Sequence, residues 1–222
     1  APNSLAHRTT WLRSDFKLEQ YKIETKEDSK KEEVNYFDEQ GNKIGTVDRK
    51  EGIQKGLLLE AVQLWIIDPD TKQILVQKRS KQKSIDPGKI DSSCNGHVRS
   101  YEIPEQAVLR EAFEEIGVAP TEIYPNMKKI MTVTVDLTKV GGKGNYIAHE
   151  YITFLKHPIS YYKLQKEEVE EIFFMDYETL RKETLKENSS MRMPNTKEAE
   201  EFFDLLGKEL ENQIAQEKCM DK

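Results

Sequence analysis

Gly96-His97-Val98-Arg99-Ser100-Tyr101-Glu102, followed after seven residues by Arg110-Glu111-Ala112-Phe113-Glu114-Glu115-Ile116-Gly117-Val118, is the stretch that decides the reading of this chain. Pro104 suits the first turn of a helix and Gly117 stops one, so 104–116 is predicted helical. Val108, Leu109, Ala112, Phe113 and Ile116 recur at helical spacing and form its apolar face. Glu114 and Glu115 follow Glu111 by three and four residues, which puts three carboxylates on one face, converging on one point. Without a cation this is unfavourable, since each like-charge pair costs ~0.2–0.5 kcal/mol. Carboxylates near a helix C-terminus also oppose the macrodipole, by ~0.3–1 kcal/mol each when exposed. Three hard oxygen donors suit Mg²⁺ or Mn²⁺, which takes its other ligands from water and substrate phosphates.

Upstream, residues 34–48 read as a hairpin turning at Gly41-Asn42. A long strand is predicted over 57–67, closed by Asp68-Pro69-Asp70, with 73–78 as its antiparallel partner. Residues 80–95 are polar and contain the turn Asp86-Pro87-Gly88. Downstream, strands over 130–137 and 146–155 flank Gly141-Gly142-Lys143-Gly144-Asn145, which lacks the spacing of a Walker loop and reads as a hairpin loop. A last core strand is predicted over 169–175. Helices follow over 177–186 and 196–216, the latter carrying Phe202, Phe203, Leu206, Leu210 and Ile214. One α/β domain over 34–222 accounts for this pattern. It is preceded by a charged arm, residues 1–33, whose Ala1-Pro2-Asn3 start reads as processed or artificial.

Composition narrows the function classes. Hydrophobic residues are 36% of the 222, and charged residues 33%, against ~25% charged in an average chain. A net charge of −6 argues against generic nucleic-acid binding, which needs a basic face. No run of ~18 apolar residues marks a membrane span. Cys94 and Cys219 form no CxxC pair, so a disulfide scaffold is excluded and a reducing cytoplasm is expected. The expected partner is a small molecule; the oligomeric state is open, a homodimer being one option.

The opening stretch resembles the Nudix box, Gly-x5-Glu-x7-Arg-Glu-aliphatic-x-Glu-Glu-x-Gly-aliphatic. Gly96, Glu102, Arg110, Glu111, Glu114, Glu115 and Gly117 fill its fixed positions, and Ala112 and Val118 its aliphatic ones. Seven such matches arise by chance on the order of 10⁻⁸ per window. From 34 to about 175 the chain is similar to the Nudix branch that includes isopentenyl-diphosphate isomerase. That similarity rests on Tyr36-Phe37-Asp38 to Gly45-Thr46, on Gln77-Lys78-Arg79-Ser80, on Lys83, and on Pro87-Gly88-Lys89-Ile90-Asp91-Ser92-Ser93.

The resemblance implies a Nudix-type α/β/α sandwich with a mixed β-sheet, an N-terminal β-hairpin and a C-terminal helix. It implies a divalent metal on Glu111, Glu114, Glu115 and the carbonyl of Gly96. Catalysis would rest on Glu114, Glu115 and Glu150, with Glu114 or Glu150 as general base. Arg79 and Lys83 are candidate phosphate contacts. His97 is a candidate to bind phosphate or metal, its alternative being to brace the loop by a hydrogen bond. Glu102, Arg110 and Gly117 are expected to be structural, the first two as an ion pair. The segment Glu167, Glu168, Glu170 and Glu171 is expected to be solvated, and Cys94 has no evident activating partner.

Two chemistries share such a scaffold. The isomerases carry a cysteine immediately before the Gly/Ser-His-Pro unit; here that position is Asn95, with Cys94 one residue earlier. On an extended segment a one-residue shift turns a side chain to the opposite face. Their pattern His-x6-His-Arg-Ala is replaced by Gly52-Ile53-Gln54-Lys55-Gly56-Leu57-Leu58-Leu59-Glu60-Ala61, and their Glu-x-Glu by Ala148-His149-Glu150. The expectation is therefore a metal-dependent hydrolase cleaving a nucleoside diphosphate linked to another group. The alternatives are an isopentenyl-diphosphate isomerase and a non-catalytic nucleotide-binding module.

Overall fold

A computed structural model describes residues 32–220, so nearly all of the arm assigned to 1–33 lies outside the described residues. The organising element is β3 (Leu58–Ile67), a near-continuous apolar run. Such a run suits a strand covered on both faces. One edge of β3 pairs in parallel with β8 (Asn145–Phe154) along its whole length, from Leu58↔Asn145 to Ile67↔Phe154. Its other edge is shared by three antiparallel neighbours in succession. Leu58 meets Phe37 of β1 (Glu33–Phe37), Ala61–Leu64 meet β6 (Cys94–His97), and Ile66–Ile67 meet β4 (Ile74–Arg79).

The remaining strands extend this mixed sheet. β2 (Lys43–Asp48) closes the N-terminal hairpin with β1, β7 (Lys128–Asp136) pairs with β8, and β9 (Val169–Met175) and β5 (Ile90–Asp91) pair with β4. One helix, α2 (Pro104–Ile116), buries Val108, Leu109, Ala112 and Ile116. On the opposite face Trp65, Ile67, Ile74 and Val76 pack against Leu180 of α4 (Tyr177–Thr184) and against Phe202, Phe203, Leu206 and Leu210 of α5 (Lys197–Met220). The α/β/α sandwich, the hairpin and the C-terminal helix are all present.

Three features depart from the sequence reading. Short helices α1 (Arg49–Gln54) and α3 (Pro120–Ile123) were not expected. The first had a signal, because Asp48 caps it by accepting from the backbone N–H groups of Lys50 and Glu51. Second, α5 continues to Met220, past the predicted end at 216. Third, the polar stretch 80–95 contains β5 and the start of β6, whose polarity hid them. Ile90 also bonds outward: its N–H donates to Ser190 O, and Arg192 N–H donates back to Ile90 O at 2.7 Å. That brings a segment a hundred residues away to the end of β6.

Candidate active site

The site forms where α2 crosses β6. Gly96 is required there by space: a methyl on its Cα would overlap the Glu111 carboxylate. The helix carboxylate thus rests against the β6 backbone. Gly117, at φ 73°, ends α2 in the left-handed conformation, and its N–H donates to Phe113 O at 3.1 Å.

Arg110 organises the box from within. Its Nε and Nη2 hold Glu102 bidentately at 2.6 and 3.0 Å, and Nη2 also donates to His97 O at 3.0 Å. Its Nη1 reaches Glu111 at 2.7 Å and Glu114 at 3.2 Å. Burial alone would lower this guanidinium's pKa, but Glu111 and Glu102 hold it well above its usual value. Glu102 further accepts from Arg99 N–H at 3.1 Å, so the loop entering α2 is tied down at both ends.

The expected convergence of three carboxylates needs correction. Glu111 and Glu114 both turn to Arg110, whereas Glu115 is buried away from them. Its Oε2 accepts from Gln77 Nε2 at 2.8 Å and from Asn95 N–H at 3.2 Å. Burial pushes the Glu115 pKa up to about 7 against the Gln77 hydrogen bond. Among the described residues, no three His, Cys, Asp or Glu side chains stand close enough to hold an ion as arranged. The physical reason is the guanidinium, which supplies the positive charge that like-charged neighbours need. The donor chemistry nonetheless fits a hard cation: all the donors are oxygens, and the strand backbone is laid open at Gly96. Glu111, Glu114, Glu115 and the Gly96 carbonyl are the groups that could hold one, once Glu111 and Glu114 turn from Arg110.

The other predicted residues fall around this junction. Arg79 is largely buried, with Nη2 donating to Ile85 O at 3.0 Å and Nη1 3.5 Å from Asp91. Two of its nitrogens are thus engaged within the protein, while Nε is buried with no hydrogen-bond partner. Lys83 pairs with Glu168, so that glutamate is not simply solvated. His97 does not brace the loop through Nε2, which is buried with no hydrogen-bond partner. Its ring meets Tyr146 edge-on at 5.4 Å. Burial, aided by Arg49, Arg192, Lys83 and Arg110, holds its pKa well below the usual histidine value. Glu150 accepts from Trp65 Nε1 at 2.8 Å, and burial pushes its pKa up to about 8. Cys94 is fully buried, and burial followed by the Glu115 charge raises its thiol pKa well above normal.

Sequence reading missed Arg192. Its Nη1 donates to Asp91 and to Asn95 Oδ1, both at 3.0 Å, and its Nε to Asp86 at 3.3 Å. Asn95 in turn donates to Asp91 at 2.9 Å. No local motif surrounds Arg192, so only the tertiary fold shows it.

A family model described as NUDIX domain matches residues 57–194. Nudix hydrolase 3 of Arabidopsis thaliana is 31% identical over 163 residues, covering 71% of this chain and 21% of that protein. The chain therefore spans about a fifth of that relative's length. Isopentenyl-diphosphate Delta-isomerase 1 of Mesocricetus auratus is 32% identical over 162 residues, covering 61% of this chain and 70% of that one. The crystal structure of a MutT protein from Methanosarcina mazei superposes with a TM-score of 0.51 at 20% identity, covering 68% of this chain and 94% of that one.

Proposed function

The chain belongs to the Nudix family, and from that premise we propose that it is a hydrolase of a nucleoside diphosphate linked to a further group, dependent on Mg²⁺ or Mn²⁺. The observation that carries this reading is the meeting of Gly96 and Glu111, where the strand backbone packs so closely against the helix carboxylate that even a methyl would overlap it. Bound to Glu111, Glu114, Glu115 and the Gly96 carbonyl, a divalent ion would neutralise the diphosphate and acidify water.

The protein's own groups do the rest. Arg110 and Glu102 fix the loop against α2, so the helix that carries the carboxylates is held in place before substrate arrives. Glu114, 28% exposed, is the more accessible carboxylate and takes the proton of the attacking water. Burial raises the Glu150 pKa to about 8, which favours its protonated form near neutral pH and makes it the poorer base there. Lys83, at the mouth of the site beside Glu168, offers its charge to a phosphate by exchanging partners.

The isomerase reading draws on the identity with the Mesocricetus protein and on His97 and Glu150. Against it stands Asn95, which is bonded to Asp91 and Arg192 where a proton-donating cysteine would be needed. Cys94 faces the opposite side of β6, buried and with a raised pKa. A panel of nucleotide sugars, dinucleotides and capped nucleotides tests the proposal, assayed with Mg²⁺ or Mn²⁺ and with chelator. At least one member is expected to be cleaved, with activity abolished by chelator. Deuterium exchange from heavy water into isopentenyl or dimethylallyl diphosphate, without hydrolysis of any panel member, would replace this reading with the isomerase.

A further inference from the structure

Gln77 interrupts the apolar run of β4. Ile74, Leu75 and Val76 are fully buried, and the next position, almost as deeply buried, holds an amide instead of a fourth aliphatic side chain. Burying an amide costs free energy unless its groups find hydrogen-bond partners. Only half of this one does. Nε2 donates to Glu115 Oε2 at 2.8 Å and to Ser93 O at 3.2 Å, while Oε1 is buried without a partner. Turning the amide over would not help, because both neighbours are acceptors and would then face the carbonyl oxygen. An aliphatic residue would fill the position without an orphaned oxygen, so the amide is explained by what its NH₂ group touches.

Resting on the hydrolase reading and its divalent ion, we infer that Gln77 is a positioning residue for the metal centre, holding the Glu115 carboxylate ready for the cation. Gln77 Nε2 and the Asn95 N–H both bond the same oxygen, Oε2, so β4 and β6 together clamp one atom of a helix residue. Oε1 makes no hydrogen bond to the described residues, so one oxygen is held and the other is left for an ion. That division sets Glu115 apart from Glu111 and Glu114, which turn to Arg110. The support is itself rigid. Gln77 lies inside the sheet, opposite Asp91 of β5 on one side and Ile172 of β9 on the other, and Ser93 O fixes its amide. A ligand whose rotamer is set in advance loses less freedom on binding a cation, so affinity rises without a new contact.

Mn²⁺ binding to the full chain without substrate, followed by the electron paramagnetic resonance of the free ion, tests this apart from turnover. Gln77→Met keeps the length, loses the donor and removes the orphaned oxygen, so in chelator it should melt close to the parent. Its Mn²⁺ affinity should fall at least ~10-fold, the usual consequence of losing the partner of a metal ligand. Gln77→Asn, whose amide is one carbon short of Glu115, is the second variant and should lose affinity in the same direction. In the Glu115→Gln background both substitutions should change the affinity less than ~3-fold, because Gln77 acts through that carboxylate. Parental Mn²⁺ affinity in either folded variant, or an equal loss with and without the Glu115 carboxylate, would make Gln77 a packing residue and overturn the assignment. Failure of the parent to bind Mn²⁺ would overturn the metal centre along with it. Mn²⁺ binding with the expected coupling, but no hydrolysis of any nucleotide, would instead sink the hydrolase reading and leave the role of Gln77 standing.

Discussion

Glu150 and Trp65 face each other inside the sheet, and that one contact has a measurable consequence. The carboxyl titrates near pH 8 in the fold and near its ordinary value when unfolded. Below about pH 4.5 both states are protonated and the group is silent. Between about pH 4.5 and 8 the unfolded chain ionises first, so stability falls as pH rises, by up to ~1.4 kcal/mol per unit. Above pH 8 both states are ionised and the loss levels off. Glu150→Gln keeps an acceptor for the indole N–H and removes the ionisation. Its stability relative to the parent, from denaturant unfolding at pH 5, 6, 7 and 8, should start near zero and grow with each step. A variant that loses ground at pH 8 would mean the carboxylate is better solvated than its burial indicates. The sequence pointed to Glu111, Glu114 and Glu115 by spacing alone, because helical period fixes which positions neighbour one another. It did not show that Arg110 would draw two of them aside, since a side chain's choice among competing partners is settled only in three dimensions.

The loop before α2 is held by a single buried guanidinium bonded to Glu102, Glu111, Glu114 and the His97 carbonyl. Glu102→Gln removes the charge from the tightest of these pairs while nearly preserving shape. We expect a loss of about 2 kcal/mol, within the ~1.5–3 kcal/mol range for hydrogen bonds to charged groups, together with reduced turnover as the loop loosens. Urea unfolding measures the first; a variant of parental stability would show that Glu111 and Glu114 alone satisfy Arg110. The long elements were readable, β3 from its apolar run and α2 from Pro104, Gly117 and the period of its apolar face. The short ones were not. β6 is four residues, Cys94-Asn95-Gly96-His97, and pairing with β3 makes it a strand despite that polar composition. The helix Arg49–Gln54 shows the opposite case, because its Asp48 cap is a signal visible in the sequence.

The whole domain is assembled around the parallel pair β3 and β8, which no adjacency in sequence connects: Leu58 lies opposite Asn145 and Ile67 opposite Phe154. The alternation of strands and helices predicted an α/β sandwich, and the box placed its site, but the order of strands and the arrival of Arg192 beside Asn95 required the tertiary structure. A chain trimmed to residues 32–222 retains every described element. It is expected to melt within a few degrees of the full chain and to keep its turnover; a folded but inactive product would assign part of the site to the arm. The reading of α2 as a catalytic metal helix is tested by Glu115→Gln, measured by melting with and without Mg²⁺ or Mn²⁺ and by single-turnover hydrolysis of the best panel substrate. The amide retains an acceptor for Asn95 N–H and Gln77, so in chelator the variant should melt no lower than the parent. Metal should raise the parent's melting temperature by mass action and the variant's much less, and hydrolysis should fall more than ~100-fold with the loss of a direct ligand. A variant that melts well below the parent in chelator yet hydrolyses at the parental rate would make Glu115 a structural partner of Gln77 and Asn95, and would contradict the account.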